Sequence, residues 1–345
     1  MPAKPHIDSI RTNSPWLRRV AVCLACATFP LIFVGGLVTT TRSGMAVPDW
    51  PSTYGYNLFL YPWETWFFGP WKLFVEHGHR LFGSLVGLLA IALLFVAIRT
   101  HAPRGFVIGA GVTLFLVCFQ GFLGGARVLL ESRGILDGRS IAFLHGCTGP
   151  LFFTYAVIYA VATSQLKFNS LDLKNEPSLA GLKIASVVLA LLATAQLIFG
   201  ASLRHVPDTA DPSYFRIMTL MHLLFAVALF VQSLLLSGRI LSRPALRKPF
   251  SKSASLLLAL LIAQIALGVM TWVLKYGYPP GLPLASYFAQ LTLEHQSLLQ
   301  ILTVTAHVAN GSLVLALAAR LAYVSRRYSS LTAPLAAVAV AGGLA

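Results

Sequence analysis

Eight long apolar segments constrain what this chain can fold into. Each is close to the roughly 20 residues that an α-helix needs to cross the hydrocarbon core of a bilayer. They cover approximately residues 18–38, 74–98, 106–126, 141–165, 181–201, 215–237, 253–274 and 296–319. Inside a bilayer each backbone polar group must be paired within the protein, so such segments form helices. We therefore predict an all-α integral membrane protein with eight transmembrane helices, numbered here as spans 1 to 8.

Composition and charge agree with a membrane protein and argue against a nucleic-acid-binding one. The 345-residue chain is only 11% charged, whereas soluble domains carry about 25% charged residues. Its net charge of +15 comes from Lys and Arg in short loops, without the basic groove that nucleic acid requires. Most of these Lys and Arg residues lie in segments on the same side of the membrane as the N-terminus. Since positive residues favour the cytoplasmic side, we expect both termini in the cytoplasm. The compact N-terminus favours a bacterial inner membrane over a mitochondrial one.

Spans 3, 5 and 7 share a short motif in which a glutamine precedes a glycine by four residues. The three copies are Gln120–Gly124, Gln196–Gly200 and Gln264–Gly268. Glycine permits close helix approach, and a glutamine one turn away can hydrogen-bond across the interface. Because spans 3 and 7 are four spans apart, the motif predicts two pseudo-symmetric four-helix bundles, unless it recurs by chance. The predicted divisions are residues 1–170, residues 171–330 and an apolar tail of unassigned role, residues 331–345.

Histidines mark the even-numbered spans. The four are His79, His145, His222 and His307. A lone histidine in an apolar helix is more often a hydrogen-bonded interior residue than a ligand, but four in this distribution favour ligation. Imidazoles that face each other across a bundle suit axial ligation of haem iron. Nearby glycines, including Gly149 and Gly311, are expected to leave room for the macrocycle. In span 8 we favour His307 over His295, which lies nearer the membrane surface.

A cluster of ionisable residues, EHGHR at residues 76–80, lies at the beginning of span 2. Ionisable groups at such a place are costly unless they are held, so they indicate a functional site. Glu76 and His79 are three residues apart and share a helix face, whereas His77 points elsewhere. The Glu76 carboxylate could act as an acid, a base or a charge-stabilising group. A salt bridge to Arg80 is the alternative, structural role.

These residues resemble the haem A synthase family. The most specific pieces are GGLVTTTRSGMAVPDWP at residues 35–51 and EHGHR at residues 76–80, which are similar to the family's PDWP and E-x-x-H-R patterns. Weaker matches are FQGFLGGARV in span 3, LHG in span 4, GASLRH after span 5, MH in span 6 and AHVANGSL in span 8. The resemblance extends from span 1 to span 8.

The resemblance implies an oxidoreductase that converts the C8 methyl group of haem O to a formyl group. The product is haem A, and successive hydroxylations would take their oxygen from water. His79 and His145 would flank the iron of the substrate haem O, with Glu76 as the catalytic residue beside the methyl group. The C-terminal half would hold a haem b cofactor between His222 and His307. Further groups near the haems would be Arg80, Arg204, His205, Arg216 and His295.

The resemblance also implies partners: haem O and haem A, the lipid bilayer, a haem O synthase and a membrane electron acceptor. The chain could in addition form a homo-oligomer. Two positions depart from the family pattern. Many relatives carry a cysteine pair in the first loop, where this chain has Val47 before PDWP. Leu223 stands where relatives have an arginine after the span 6 histidine, which leaves Arg204 or Arg216 to bind the haem propionates.

Two other functions remain alternatives. A di-haem b-type membrane electron-transfer cytochrome would use the same four histidines without any substrate chemistry. A haem or small-molecule transporter would also suit a two-half repeat. Transporters break matching helices in both halves, however, and Pro30 and Pro150 are not a matched pair.

Overall fold

The computed structural model describes residues 14–135, 138–164, 178–207, 209–277 and 296–342. This part of the chain is helical and contains no β-strand, which confirms the prediction of an all-α protein. The helices are α1 (Pro15–Thr40), α2 (Trp63–Phe67), α3 (Trp71–Arg99), α4 (Arg104–Ser132), α5 (Arg139–Ala162), α6 (Ser178–Arg204), α7 (Pro212–Ser242), α8 (Pro244–Tyr276) and α9 (Leu298–Gly342).

Eight of the described helices are long and apolar enough to cross a bilayer, as predicted; the exception is the short α2. Most of them are longer than the apolar segments that predicted them. Helices α7 and α8 contain 31 and 33 residues, because their polar ends continue the helix beyond the apolar core. The apolar stretch after residue 330 continues α9 as far as Gly342. Its role stays unassigned.

Prolines and polar caps explain where several helices begin. Ser14 accepts a hydrogen bond from the N–H of Leu17 at the start of α1, and Asp211 accepts one from the N–H of Ser213 at the start of α7. In both helices the first residue is a proline. Proline suits this position because its fixed φ is already helical and the N–H that it lacks would have no partner within the helix.

The chain divides into two compact units, Met1–Leu166 and Lys167–Ala345. In the first unit α1 and α4 each pack against both α3 and α5, so that the four helices close a ring. In the second unit α6 and α8 each pack against both α7 and α9. Each unit is therefore a four-helix bundle. The pseudo-symmetry of the two bundles, which the repeated motif predicted, stays a prediction.

The core of the first unit is formed by the inner faces of its helices. Leu93 on α3 is completely buried, in a cluster with Leu17, Phe106 and Tyr159. On the outer face of the same helix, Leu88 is 58% exposed. Lipid tails are as apolar as leucine, so close packing rather than removal from water holds such helices together.

Leu93→Ala should therefore destabilise the protein, whereas Leu88→Ala should not. Truncation at position 93 leaves a cavity in a packed cluster, and we expect a loss of about 2 kcal/mol or more. Truncation at position 88 exchanges one lipid contact for another. Thermal unfolding of the two variants in the same detergent measures the difference. Equal unfolding temperatures would contradict the assignment of inner and outer faces.

Candidate functional site

The structure brings the four histidines of the even-numbered spans together in two pairs. In the first unit the ring centroids of His79 on α3 and His145 on α5 are 6.4 Å apart, with the planes at 80°. In the second unit the centroids of His222 on α7 and His307 on α9 are also 6.4 Å apart, with the planes at 68°. Each pair lies within one four-helix bundle. His295, the other candidate of the last span, lies outside the described residues.

Each of these imidazoles packs against a glycine on a neighbouring helix. The pairs are Gly35–His79, Gly124–His145, Gly200–His222 and Gly268–His307. A Cβ atom at Gly35 would be 2.9 Å from Cε1 of its histidine, and one at Gly200 or Gly268 would be 3.1 Å away. A Cβ atom at Gly124 would be in ordinary contact, at 3.7 Å. The glycines therefore let the neighbouring helix approach the imidazole ring.

The pairs fit haem better than a bare metal ion. Among the described residues no group of three or more His, Cys, Asp or Glu side chains could hold a metal. Nδ1 of each paired histidine is buried without a hydrogen-bond partner. Metal–imidazole bonds are about 2 Å long, so two rings on opposite sides of one metal would have centroids about 6 Å apart. Two protein ligands suit a porphyrin, which supplies the others itself.

The Glu76 carboxylate is held through both of its oxygens. Oε1 forms an ion pair with Nη2 of Arg80 at 2.8 Å, and Oε2 accepts a hydrogen bond of 2.9 Å from the N–H of Val47. The residue is 3% exposed. The salt bridge that the sequence offered as an alternative role is therefore present. It fixes the carboxylate three residues before His79.

Arg80 connects α3 to the loop that contains PDWP. Nη1 donates hydrogen bonds to the carbonyl oxygens of Asp49 and Ser52, at 2.7 and 2.8 Å. Nη2 donates to the carbonyl oxygen of Val47 at 3.0 Å, besides its bond to Glu76. The planar guanidinium thus binds three loop carbonyls and one carboxylate. The sequence suggested the ion pair but gave no sign of the loop contacts.

His77 supports a different part of the same loop. Its Nδ1 is 3.0 Å from Oγ1 of Thr53, and its ring lies 5.1 Å from that of Tyr61 and 5.2 Å from that of Trp66. It is 2% exposed. Within EHGHR, Glu76, His77 and Arg80 therefore hold the loop, while His79 faces His145.

Asp49 of PDWP closes a turn inside this loop. Its carboxylate accepts hydrogen bonds of 2.8 Å from the N–H groups of Tyr54 and Gly55, and both of these residues have positive φ angles. Partial burial raises the pKa of Asp49, but the hydrogen bonds from Gly55, Ser52 and Tyr54 outweigh it and leave the pKa below its usual value. The carboxylate is therefore ionised at neutral pH and can order the turn.

Trp50 extends from the loop to α4. Its indole lies on Gly125, where a Cβ atom would overlap the ring. The adjacent Gly124 accommodates His145. Further along α4, the guanidinium of Arg127 lies against Gly44 of the loop. The segment FLGGAR, residues 122–127, thus contacts both the PDWP loop and the imidazole of His145. Sequence reasoning missed this role, although the double glycine was visible.

The remaining predicted residues of the second unit lie at helix ends. Arg204 ends α6 and is close enough to His307 to act on it electrostatically. His205 follows, and its N–H donates a 3.0 Å hydrogen bond to the carbonyl of Ala201. Arg216, on the first turns of α7, lines a cleft of about 270 Å³. Leu220, Leu223 and Trp272 also line this cleft, so it combines one charge with an apolar wall.

Two glycines do not have the role that the sequence suggested. Gly149 and Gly311 were expected to leave space for a macrocycle. Instead, a Cβ atom at Gly149 would be 3.8 Å from Oε1 of Gln120, and one at Gly311 would be 3.1 Å from Nε2 of Gln264. Each position is thus taken by a glutamine of the Q-x-x-x-G motif, because that side chain reaches across the helix interface.

Arg80→Gln should release the PDWP loop, because glutamine cannot bond to three carbonyl oxygens and a carboxylate at once. We expect faster hydrogen exchange at the amide of Val47 and faster proteolysis between residues 41 and 62. Lys72→Gln, which removes a positive charge from the exposed start of the same helix, should change neither. Equal protection in both variants would show that Arg80 does not hold the loop.

Comparison with known proteins identifies the family. A family model described as "Cytochrome oxidase assembly protein" matches residues 18–213. A heme A synthase of Symbiobacterium thermophilum is 27% identical over 310 residues, which are 80% of this chain and 95% of that protein. A shorter match is to a heme A synthase of Bradyrhizobium, which is 30% identical over 42% of this chain and 40% of that protein. Another is to a heme A synthase of Chelativorans, which is 33% identical over 37% of this chain and 34% of that protein. The chain therefore belongs to the family of cytochrome oxidase assembly proteins, as its resemblance to haem A synthases predicted.

Proposed function

We propose that this protein is a haem A synthase, which oxidises the C8 methyl group of haem O to a formyl group by successive hydroxylations with oxygen from water. The observation that carries the proposal is the pairing of four imidazoles, two in each bundle, in a chain of this family. His79 and His145 would bind the iron of haem O. His222 and His307 would bind the iron of a haem b cofactor.

The distribution of carboxylates supports placing the substrate in the first unit. There Glu76 lies within one helical turn of His79 and is fixed by Arg80. In the described part of the second unit the only carboxylate is that of Asp211, the exposed N-cap of α7. Methyl oxidation releases protons, so it needs a group that can accept them or stabilise positive charge. Electron transfer by a cofactor needs no such group.

Glu76 would be the catalytic residue. Its hydrogen bonds from Val47 and Arg80 hold the carboxylate in one orientation, and a preorganised charge stabilises a developing opposite charge without reorganisation. The PDWP loop, bound to α3 by Arg80 and to α4 by Trp50, would cover this site and limit the access of water. Val47, where relatives carry a cysteine, would contribute through its backbone alone.

In the second unit, the chemistry that a haem b supplies when bound is reversible one-electron transfer. His222 and His307 would hold it from opposite sides. Arg204, which acts electrostatically on His307, is our choice for the propionate partner, with Arg216 next. The electrons would pass to a membrane acceptor, and haem O would come from a haem O synthase. We place the protein in the cell inner membrane with both termini in the cytoplasm.

A di-haem electron-transfer cytochrome remains the second candidate, because the centroid separation is 6.4 Å in both units. The two functions differ at Glu76. In an electron-transfer cytochrome the Glu76 carboxylate would only anchor the PDWP loop, through Arg80 and Val47. In a haem A synthase it would also take part in the oxidation of the methyl group.

Glu76→Gln should lower the conversion of haem O by about a hundredfold or more, the usual contribution of a general acid or base. The haem content of the purified variant should stay normal, since the four imidazoles are intact. Glu131→Gln is the matched control, because Glu131 also pairs with an arginine four residues away but is 35% exposed. It should convert haem O normally. Undiminished conversion by Glu76→Gln would remove Glu76 from the mechanism, whereas wild-type protein that binds haem but converts no haem O would leave the cytochrome as the better account.

A further inference from the structure

We infer that Arg127 binds a propionate group of the substrate haem in the first unit. The inference rests on the proposed binding of haem O between His79 and His145, and it adds a substrate-binding residue to that site. Haem carries two propionates, which are ionised at neutral pH, on one edge of a largely apolar macrocycle. A carboxylate taken out of water needs a cation and hydrogen-bond donors beside it. The first unit must therefore offer such a cation near the paired histidines.

Two arginines lie close enough to the pair to act on it electrostatically, Arg80 on His79 and Arg127 on His145. The donors of Arg80 are already used. Its Nη1 bonds to two loop carbonyl oxygens, and its Nη2 bonds to a third carbonyl oxygen and to Glu76. Two Nη atoms carry four N–H groups between them. Arg80 therefore has no Nη donor left for a ligand.

Arg127 differs because most of its donors are available. Its Nε lies 3.4 Å from Oε2 of Glu131, and this is its one hydrogen bond within the described residues. Nη1 and Nη2 keep four N–H groups, in the fork geometry that matches a carboxylate. The ion pair with Glu131 gives Arg127 little structural value, because both side chains are partly exposed and exposed pairs contribute little to stability.

The guanidinium of Arg127 lies between His145 and the PDWP loop. It packs against Gly44, a buried residue of that loop, where a Cβ atom would be 2.9 Å from Nη1 and 3.3 Å from Cζ. On α4, Arg127 follows Gly124, which faces the ring of His145, by three residues. Three residues span about 4.5 Å along a helix axis. The guanidinium is therefore displaced from the imidazole toward the loop.

A haem held between His79 and His145 would turn its polar edge toward this end of the bundle. On the other side of the pair, Val86, Val117 and Phe152 belong to an apolar cluster. Val86 and Phe152 each stand seven residues, or about two helical turns, beyond the histidine of their own helix. That side suits the apolar edge of the macrocycle. The propionates would then point toward the loop and the guanidinium.

The second unit contains an arginine in a comparable place. Arg204 acts electrostatically on His307, as Arg127 acts on His145, and it is our choice for the propionate partner of haem b. Both arginines follow the glycine of a Q-x-x-x-G motif, by three residues in α4 and by four in α6. In each unit, therefore, an arginine about one helical turn beyond the motif lies near an imidazole of the last helix.

Binding of added haem O to purified protein that already holds haem b, followed by optical spectroscopy, tests the inference. Arg127→Gln should bind haem O at least about tenfold more weakly than the wild type, because it loses charge-assisted hydrogen bonds to a carboxylate. Arg127→Lys should recover part of the loss, since it keeps the charge without the fork. Arg133→Gln is the matched control. It removes the same charge from the exposed C-cap of α4 and should bind haem O as the wild type does.

Glu131→Gln separates propionate binding from a structural role of the ion pair. Arg127→Gln and Glu131→Gln break the same pair, so a purely structural pair predicts that both variants lose affinity equally. An Arg127 that binds a propionate predicts that Glu131→Gln binds haem O at least as tightly as the wild type, because the guanidinium is intact. Equal losses in the two variants would overturn the inference.

The dimethyl ester of haem O identifies the group that Arg127 binds. Esterification removes both negative charges, so the wild type should prefer haem O to the ester. In Arg127→Gln this preference should be at least about tenfold smaller. An unchanged preference would overturn the inference while leaving the proposed function intact, and so would wild-type affinity of Arg127→Gln for haem O. Wild-type protein that binds no haem O would overturn the proposed function as well.

Gly44→Ala keeps the test available if Arg127→Gln does not fold. Its methyl group would lie 2.9 Å from Nη1 and must displace the guanidinium, which the flexible arginine side chain can accommodate. The variant should therefore fold, retain its haem b and show a smaller preference for haem O over the ester. A wild-type preference in Gly44→Ala would contradict the inference.

Discussion

The site depends on one packing feature: each of the four paired imidazoles lies against a glycine of a neighbouring helix. Three of the four histidines lie so close to that helix that any Cβ atom would crowd Cε1 of the ring. Close approach through small residues is the usual means by which membrane helices associate. Here it also sets the separation of the two rings in each pair, since the rings stand on facing helices that these contacts position.

The two units apply this constraint with different surroundings. In the first, a turn of α3 carries residues with two roles: His79 faces the bundle, while Glu76, His77 and Arg80 anchor the loop that contains PDWP. The ion pair between Glu76 and Arg80 thus holds the loop in place and, in our proposal, also serves catalysis. In the second unit the described residues include no buried carboxylate. In our proposal, the same four-helix frame therefore supports two tasks, and the polar side chains near His79 make the difference.

The number of spans and the four histidines could be predicted because both leave periodic or compositional signals. Twenty-residue apolar runs mark helices, and ionisable groups within them stand out. The loop contacts of Arg80 could not be predicted, since they depend on backbone carbonyl oxygens that any sequence provides. The contact between His79 and Gly35 could not be predicted either, because nothing near Gly35 in the sequence resembles the Q-x-x-x-G motif. Gly149 and Gly311 were misread because their partners, Gln120 and Gln264, lie on another helix.

Electron paramagnetic resonance of the oxidised, purified protein tests the central claim most directly. The account predicts a low-spin ferric signal typical of two imidazole ligands, which Gly268→Leu should weaken or abolish by displacing His307 from the iron. Gly238→Leu on α7, where a Cβ atom meets nothing within 4 Å, should retain it. A high-spin signal in the wild type, or protein without haem after expression with ample haem, would contradict the account.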